Sequence, residues 1–256
     1  MKEKFIIRAE NLSIGYEDRV IMKDLSFEVP QGDIFIIMGG SGCGKSTLQR
    51  TLTGLIPAHA GQIWIRGTDF INGSRQEKSE VMKHSGILYQ SGALFSSMTL
   101  AENVALPLQQ YTSHSPDKIS QIVSFKLALV GLAGYEDYYP SEISGGMRKR
   151  AGLARALALD PEMVYFDEPS AGLDPVSSKN LDDLILEINK TLGTTIIVVT
   201  HELSSIFAIG KNSIFLDKTI KTISAKGNPS DLLKNPPNEQ VYEFLTRGES
   251  YEKGTK

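Results

Sequence analysis

Residues 39–46, Gly-Gly-Ser-Gly-Cys-Gly-Lys-Ser, have the types and the spacing of a phosphate-binding loop, G-x-x-x-x-G-K-[ST]. Glycines let consecutive backbone N–H groups turn inward around an anion, because no Cβ blocks the bend. Lys45 would contact the outer phosphates of a nucleotide as a point charge, and the hydroxyl of Ser46 would bind Mg²⁺. The pattern predicts a nucleotide site, with a chance glycine-rich loop as the alternative.

The segments on either side of this loop argue against chance. Residues 33–38 form a short apolar run that predicts a buried strand. Residues 45–55 predict a helix whose N-terminus faces the anion. Cys43 would then lie at a helix N-terminus, a position that lowers the pKa of a thiol. We therefore expect a thiol reagent to inactivate the protein and MgATP to protect it.

A second candidate site is the pair of acidic residues Asp167 and Glu168, which directly follows the apolar run of residues 163–166. Carboxylates at the C-terminal end of a parallel strand face the ligand crevice of the sheet. Asp167 would hold Mg²⁺, directly or through water. Glu168 would polarise the water that attacks a phosphate. The alternative is a strand that ends in two solvated acids.

A third feature is Ser144-Gly145-Gly146 at the start of a predicted helix. The N–H groups and the dipole of a helix N-terminus favour a phosphate. The alternative is an ordinary N-cap, in which the side chain of Ser144 accepts a hydrogen bond from its own helix.

Composition sets the limits of the prediction. The chain has 256 residues, 41% of them hydrophobic and 22% charged, which is typical of one or two globular domains. The net charge of −3 gives no support to a nucleic-acid surface. A single cysteine and four scattered histidines exclude an internal disulfide and a zinc pattern, and favour a reducing, cytosolic setting. We see neither a secretory signal at the N-terminus nor an apolar stretch of about 18–20 residues.

Strand and helix patterns alternate along the chain, which predicts an α/β fold with a mainly parallel sheet. Further strands are predicted at 5–14, 20–29, 61–67, 84–89, 194–200, 213–217 and 219–225, the first three in a small antiparallel sheet. Further helices are predicted at 116–132, 145–159 and 176–192. After a break at 235–237, Asn238 would cap a short helix to about residue 246, with Val241 and Leu245 on one face. That face needs a surface, either on the same chain or on a partner, and we expect residues beyond 248 to be disordered.

The ordered set of motifs resembles the ATP-binding-cassette (ABC) ATPases over roughly residues 5–235. Residues 143–147 are similar to the signature Leu-Ser-Gly-Gly-Gln, although Ile143 and Met147 differ from it, and Gly40 stands where proline is common. The resemblance assigns ATP binding to Tyr16, Gly39, Gly40, Ser41, Gly42, Cys43, Gly44, Lys45, Ser46, Thr47, Ser144, Gly145, Gly146 and Asp174. It assigns catalysis to Glu168, His201 and Gln90, and Mg²⁺ binding to Ser46, Gln90 and Asp167.

The resemblance also implies an architecture and an assembly. It implies a single P-loop NTPase domain at 5–235, with a RecA-like core and an antiparallel β subdomain at about 5–90 and 160–235. A helical subdomain would cover about 91–159, and a tail 236–256. Two copies would meet head to tail, with each ATP between the phosphate loop of one copy and the Ser144-Gly145-Gly146 segment of the other.

Residues 88–104 and 144–150 resemble the ATPase subunit of mammalian-cell-entry (MCE) lipid transporters, which implies lipid transport. The implied partners are an integral membrane permease, an MCE-domain substrate-binding protein and a small STAS-domain subunit, with the chain on the cytoplasmic face of the inner membrane. Leu94, Phe95 and Met98 would receive a permease helix, or else pack beneath the helical subdomain. A polar-solute importer, a soluble cassette protein acting on nucleic acid or the ribosome, and a P-loop kinase are the alternatives.

Overall fold

The computed structural model describes residues 5–248. Its strands and helices, in chain order, are β1 (Phe5–Tyr16), β2 (Arg19–Pro30), β3 (Ile34–Met38), α1 (Lys45–Leu52), β4 (Ala60–Ile65), β5 (Thr68–Asp69), α2 (Arg75–Lys83), β6 (Ser85–Leu88), α3 (Leu100–Tyr111), α4 (Pro116–Leu129), α5 (Gly145–Ala156), β7 (Met163–Asp167), α6 (Pro175–Leu192), β8 (Thr195–Val199), α7 (Leu203–Ile209), β9 (Asn212–Asp217), β10 (Thr222–Gly227), α8 (Pro229–Lys234) and α9 (Glu239–Thr246).

The described chain divides into two compact units, residues 5–78 with 197–248, and residues 79–196. The chain passes from one unit to the other within α2 and again within β8. The predicted division into a core and a helical subdomain at 91–159 uses different boundaries and stays a prediction.

The first unit contains an antiparallel sheet in the order β2-β1-β4-β5. Along β4 the side chains of Ile63 and Ile65 are buried while Gln62 is exposed, the period-2 pattern of a sheet with one covered face. Ile65 lies opposite Ile7 of β1, and both are buried, so this cross-strand pair belongs to the covered face of the sheet. The predicted small antiparallel sheet is confirmed.

The strand that leads into the phosphate loop also belongs to the first unit. All five residues of β3 are buried, which is typical of a strand covered on both faces. It runs parallel to β9, with Met38 opposite Phe215, and β9 pairs antiparallel with β10. The loop after Met38 therefore starts from a fixed strand end.

The second unit pairs β6 with β7 in parallel, with Leu88 opposite Phe166. Both chain segments beyond these strand ends carry predicted site residues, because Gln90 follows β6 and Glu168 follows β7. Helix α6 buries the stripe Leu181, Ile185 and Ile188, as its period predicts. The parallel and antiparallel strands and the interleaved helices confirm the α/β class.

Several predicted ends are wrong by a few residues, for local reasons. Helix α1 ends at Leu52 rather than 55, because Thr53 turns its hydroxyl to the carbonyl of Gln49 and Gly54 has φ of 73°. Strand β10 begins at Thr222 rather than 219, because the carboxylate of Asp217 accepts a hydrogen bond from the Thr219 amide and forms a turn.

The predicted tail helix is present as α9. The side chain of Asn238 accepts a hydrogen bond from the Val241 amide at 2.9 Å, and Val241 and Leu245 are buried. The ring of Phe244 meets that of Phe215 edge to face at 5.2 Å between centroids. The apolar face thus packs on its own unit, which was one of the two predicted surfaces. Residues 249–256, for which disorder is predicted, lie outside the described residues.

Candidate functional site

The phosphate loop of the first unit has a backbone that only glycine can form at its entrance. Gly39 has φ of 149°, and a Cβ there would lie 2.5 Å from the carbonyl oxygen of Leu216 and 2.7 Å from Cys43 Sγ. Both distances are too short for a side-chain carbon, so this position requires glycine. The motif predicts such a close approach of the backbone. No heavy atom lies within 4 Å of a Cβ built on Gly40, and therefore the replacement of the usual proline there leaves the loop intact.

The N-terminus of α1 is prepared for an anion. Gly44, which has no side chain, is the N-cap, and the first turn of α1 contains no acidic residue. The helix itself therefore supplies neither a capping side chain nor a first-turn carboxylate to these N–H groups. Lys45 is 8% exposed, and its ammonium group donates to the carbonyl oxygens of Gly39 at 2.9 Å and Gly40 at 3.1 Å. The positive charge of Lys45, the glycine-rich loop and the helix N-terminus fit the phosphates of a nucleotide.

Cys43 differs from its prediction. Its side chain is buried, and Sγ lies 4.0 Å from Lys45 Nζ. Burial raises the pKa of the Cys43 thiol above its ordinary value, and the positive charge of Lys45 opposes that rise without overcoming it. The expectation of a lowered pKa is wrong, because the thiol points into the protein and not toward the anion.

We therefore expect slow alkylation of Cys43 at neutral pH. A raised pKa leaves less thiolate at pH 7 than an exposed cysteine has, so the rate should keep rising with pH beyond about 8.5, the usual thiol pKa. Mass spectrometry after iodoacetamide treatment between pH 7 and 10 measures this rate, and the same chain in urea is the control. Equal rates in buffer and urea at pH 7 would contradict the burial of the thiol.

Tyr16, which the family resemblance assigns to ATP binding as the aromatic residue that stacks on adenine, lies at the end of β1 and is 41% exposed. Its hydroxyl accepts a hydrogen bond from Arg50 Nη1 at 2.8 Å. Arg50 belongs to α1, so this contact links the aromatic ring to the helix that follows the phosphate loop. Sequence reasoning missed Arg50, because nothing in the local pattern pairs residues 34 positions apart.

Replacing Tyr16 with alanine should weaken ATP binding by about 1–3 kcal/mol, the usual contribution of a base stacked on an aromatic ring. Tyr16→Phe is the matched control, because it keeps the ring and loses only the contact with Arg50. Titration with a fluorescent ATP analogue measures both affinities. Unchanged affinity in Tyr16→Ala would show that the adenine binds elsewhere.

His201 belongs to the first unit and follows the end of β8. The amide of the preceding residue, Thr200, donates to the carbonyl oxygen of Ile37 in β3 at 3.3 Å. His201 is thus held beside the strand that leads into the phosphate loop, and its side chain is 56% exposed. The first unit therefore brings together the phosphate loop, Tyr16 and His201.

The second unit holds the predicted carboxylates at the end of β7. Asp167 and Glu168 are half-buried, while Met163 to Phe166 are fully buried. Glu168 has φ of 48°, a left-handed conformation that is uncommon for a residue with a side chain. Backbone strain of this kind concentrates at functional sites.

Asp174, predicted to contact nucleotide, is the N-cap of α6. Its carboxylate accepts hydrogen bonds at 3.0 Å from the amides of Val176 and Ser177. Hydrogen bonds from the side chain and amide of Ser177, and then from the amide of Val176, hold the pKa of Asp174 below its ordinary value. This capping fixes the end of the loop that begins after Glu168.

The signature segment shows one of its two predicted roles directly. The hydroxyl of Ser144 accepts a hydrogen bond from the Met147 amide at 3.2 Å, so it caps α5. Ser144 and Gly145 are exposed, and the first-turn amides of a helix have no acceptor within it. Ile143 is buried, which explains why an apolar residue other than leucine serves at this position.

Gln90 is exposed and precedes a loop whose backbone is held by two side chains of the second unit. Arg155 donates to the carbonyl oxygens of Ala93 at 2.7 Å and Gly92 at 3.1 Å. The fully buried Asn103 accepts from the Phe95 amide at 2.8 Å, and its amide group donates to the carbonyl oxygens of Phe95, Met98 and Thr99. Sequence reasoning assigned no role to Arg155 or Asn103.

A groove of about 320 Å³ lies beside this loop in the second unit. Its apolar lining includes Met82, Ile87, Phe95, Leu106, Pro107 and Tyr111. The side chain of Phe95 is 51% exposed, and those of Leu94 and Met98 are half-buried. Phe95 therefore does not pack beneath the helices, which was one of its two predicted positions.

Within residues 5–248, no group of three or more His, Cys, Asp or Glu side chains is placed to hold a metal ion. In the same part of the chain no helix has the length and hydrophobicity needed to cross a membrane.

Comparisons with known proteins identify the family and the fold of the chain. A family model described as ABC transporter matches residues 22–171. The chain is 46% identical over 198 residues to the probable ribonucleotide transport ATP-binding protein mkl of Mycobacterium tuberculosis, covering 77% of this chain. The match spans only 55% of that relative's length. This chain is also 40% identical over 245 residues to the intermembrane phospholipid transport system ATP-binding protein MlaF of Haemophilus influenzae. That alignment covers 96% of this chain and 91% of MlaF.

Among solved structures, the ATP-binding cassette MJ0796, a dimer in a post-hydrolysis state bound to ADP and Pi, superposes with a TM-score of 0.78. It is 25% identical and covers 87% of this chain and 98% of its own. The likeness confirms the predicted cassette fold. The matched family model and the long alignment with MlaF establish the same conclusion from sequence, and the chain therefore belongs to the ABC transporter family.

Proposed function

We propose that the chain is the ATP-hydrolysing subunit of an ABC transporter that moves phospholipid through a separate membrane permease. The observation that carries the phospholipid assignment is the 40% identity to MlaF along 91% of that protein. A match of this extent includes the segments outside the common nucleotide motifs, and those segments are where cassettes differ in their partners.

In this proposal the first unit binds the nucleotide. Tyr16 stacks on the adenine, residues 39–47 surround the phosphates with N–H groups, and Lys45 contacts the outer phosphates. Ser46, Asp167 and Gln90 are the residues that would hold Mg²⁺, which would supply positive charge to the phosphates. In the structure Lys45 donates to two loop carbonyls, and those contacts keep its ammonium group directed into the loop.

Hydrolysis is then largely a matter of positioning and charge stabilisation. The carboxylate of Glu168 orients and polarises a water molecule for in-line attack on the γ-phosphate. His201 donates a hydrogen bond to the γ-phosphate. The left-handed backbone of Glu168 and the buried strand before it limit the directions that this carboxylate can take.

We further propose that two copies form a head-to-tail dimer with two ATP molecules between them. Each ATP contacts the phosphate loop of one copy and the segment Ser144-Gly145-Gly146 of the other, with Asp174 nearby. The exposed first turn of α5 supports this role, and so does the dimeric state of MJ0796. ATP binding favours the closed dimer and hydrolysis the open one, so the cycle is a population shift.

The groove beside Phe95 receives a helix of the permease. Its apolar lining and its position beside the loop after Gln90 support this role. A helix that moves this loop would also displace Gln90, a predicted catalytic residue. The remaining partners are an MCE-domain protein and a small STAS-domain subunit, and the chain acts on the cytoplasmic face of the inner membrane. No nucleic acid takes part.

A polar-solute importer is the second candidate. The observation that favours it is the 46% identity to mkl, whose name describes probable ribonucleotide transport. The two candidates share the ATPase mechanism and differ only in the molecule that the permease holds.

Purification of the complex from native membranes separates these candidates. The tagged chain is isolated from its source organism in mild detergent, and the sample is analysed by mass spectrometry for proteins, lipids and nucleotides. We expect an integral membrane protein and bound phospholipid. Phe95→Asp should lose the membrane protein, because a carboxylate in an apolar groove is costly to desolvate.

Phe125→Asp is the matched control, since Phe125 is a 60% exposed aromatic residue on α4 and outside the groove. It should keep the permease. A permease complex that carries ribonucleotide and no phospholipid would favour the polar-solute importer. If no membrane protein copurifies with the tagged chain, the result would instead indicate a soluble cassette protein.

A further inference from the structure

Lys149, on the second turn of α5, is a buried lysine in the second unit. Its side chain is 6% exposed, and Nζ donates to the carbonyl oxygens of Pro169 and Ala171, each at 2.5 Å. Burial of an ammonium group is unfavourable unless its donors are satisfied. Two strong charge-assisted hydrogen bonds to one short loop supply that compensation.

The two acceptors lie on either side of Ser170, directly after the carboxylate proposed to activate water. The Ala171 amide donates to the carbonyl oxygen of Glu168 at 3.1 Å, and the Leu173 amide donates to that of Ser170 at 3.1 Å. Lys149 therefore closes a turn that begins at Glu168. Removing the ammonium group would leave two loop carbonyls without this donor.

Electrostatics supports the same geometry. Burial lowers the pKa of Lys149, and the negative charge of Glu168 acts in the opposite direction, so the ammonium group and the carboxylate interact. Lys149 thus contacts the loop backbone and also interacts electrostatically with the side chain that the loop presents.

The same helix also contacts the loop after Gln90. A Cβ on Gly152 would lie 2.8 Å from the Gly92 carbonyl oxygen, so the two segments are in close contact. Arg155 adds its hydrogen bonds to Gly92 and Ala93. Helix α5 therefore begins with the signature segment and holds the two loops that follow Gln90 and Glu168.

We infer that Lys149 is a positioning residue for ATP hydrolysis, which fixes the backbone of residues 169–171 and with it the direction of the Glu168 carboxylate. The inference rests on the proposed role of Glu168. Lys149 itself contacts neither nucleotide nor water in this role, and it acts through the loop.

Two substitutions and one matched control test the inference. Lys149→Met keeps length and removes the donors, whereas Lys149→Arg keeps charge and donors. Lys179→Met is the control, because Lys179 is an exposed lysine of the same unit, on α6, paired with Asp183 at 2.5 Å. For each protein we would measure kcat, KM and the Kd for ATP, together with hydrogen–deuterium exchange in the peptide 168–174.

We expect Lys149→Met to lower kcat by about 10- to 100-fold, the cost of a small misplacement of a catalytic group. The KM and Kd for ATP should stay within about twofold, since the change affects the chemical step and not ground-state binding. Amide exchange in 168–174 should become faster. Lys149→Arg should recover most of kcat and of the protection, and Lys179→Met should match wild type in all four measurements.

Normal kcat and unchanged exchange in 168–174 for Lys149→Met would overturn the inference, as would a kcat loss that follows only the fraction of unfolded protein. If Lys149→Met does not fold, Lys149→Leu replaces it under the same criteria, because leucine also removes the donors and the charge. A wild-type chain without ATPase activity would refute the proposed function. In that case the exchange comparison would still decide whether Lys149 holds the loop.

Discussion

Glu168→Gln is expected to bind ATP normally and to hydrolyse it about 10²–10⁴-fold more slowly than wild type, the usual contribution of a general base. Glutamine has the shape and hydrogen-bonding reach of glutamate but cannot accept the proton of the attacking water. The substitution leaves the backbone contact between Glu168 and Ala171 unchanged, so the loop should keep its form. Because the ATP-bound state is no longer consumed, the variant should accumulate as a dimer.

Phosphate release measures the turnover, and light scattering after size exclusion measures the dimer with and without MgATP. Glu162→Gln is the matched control, since Glu162 directly precedes β7 at the end of the strand opposite Glu168. It should retain turnover close to wild type. Near-normal hydrolysis by Glu168→Gln would remove Glu168 from the catalytic role.

Lys45→Ala should abolish hydrolysis and weaken ATP binding by about 2–5 kcal/mol, the cost of removing one partner from a buried charge pair. The structure adds a second reason, because the ammonium group of Lys45 also holds the carbonyls of Gly39 and Gly40. Its removal therefore takes away the cation and loosens the loop that surrounds the phosphates. Isothermal titration with ATP measures the affinity.

Lys218→Ala is the control for net charge. Lys218 is exposed, belongs to the same unit, and lies close enough to influence the electrostatics of Cys43. Substitution of such a surface lysine should change the binding energy by no more than about 0.5 kcal/mol. An equal loss of affinity in both variants would mean that general charge and not the contact of Lys45 holds the phosphates.

The parts of the site that sequence could predict are those set by neighbouring residues. The glycine spacing of residues 39–46 predicts the loop, and the buried run before Glu168 predicts the strand that presents it, since both depend on local backbone geometry and period. The cap of Asn238 on α9 and the buried positions Val241 and Leu245 follow from the same local rules.

The parts that sequence could not predict depend on contacts between distant residues. Lys149 belongs to a run of three basic residues, 148–150, and Arg155 follows on the same helix, a pattern that would suit a solvated helix face. Only the fold shows that Lys149 holds a loop 20–22 positions away and that Arg155 holds one 62–63 positions away. Cys43 shows the reverse error. Its position at a helix N-terminus is clear from the sequence, but the direction of its thiol is not, and that direction reverses the pKa shift.

Asn103 fixes the shape of the loop at residues 95–99 without depending on the side chains of that loop. Its four hydrogen bonds all go to backbone groups, so the side chains of Phe95, Ser96, Ser97 and Met98 contribute none of them. Under the proposed permease contact, the same loop shape can therefore present different side chains to a partner. Exchanging these side chains for those of another cassette should transfer the choice of permease. The same exchange in an Asn103→Ala background should abolish permease binding.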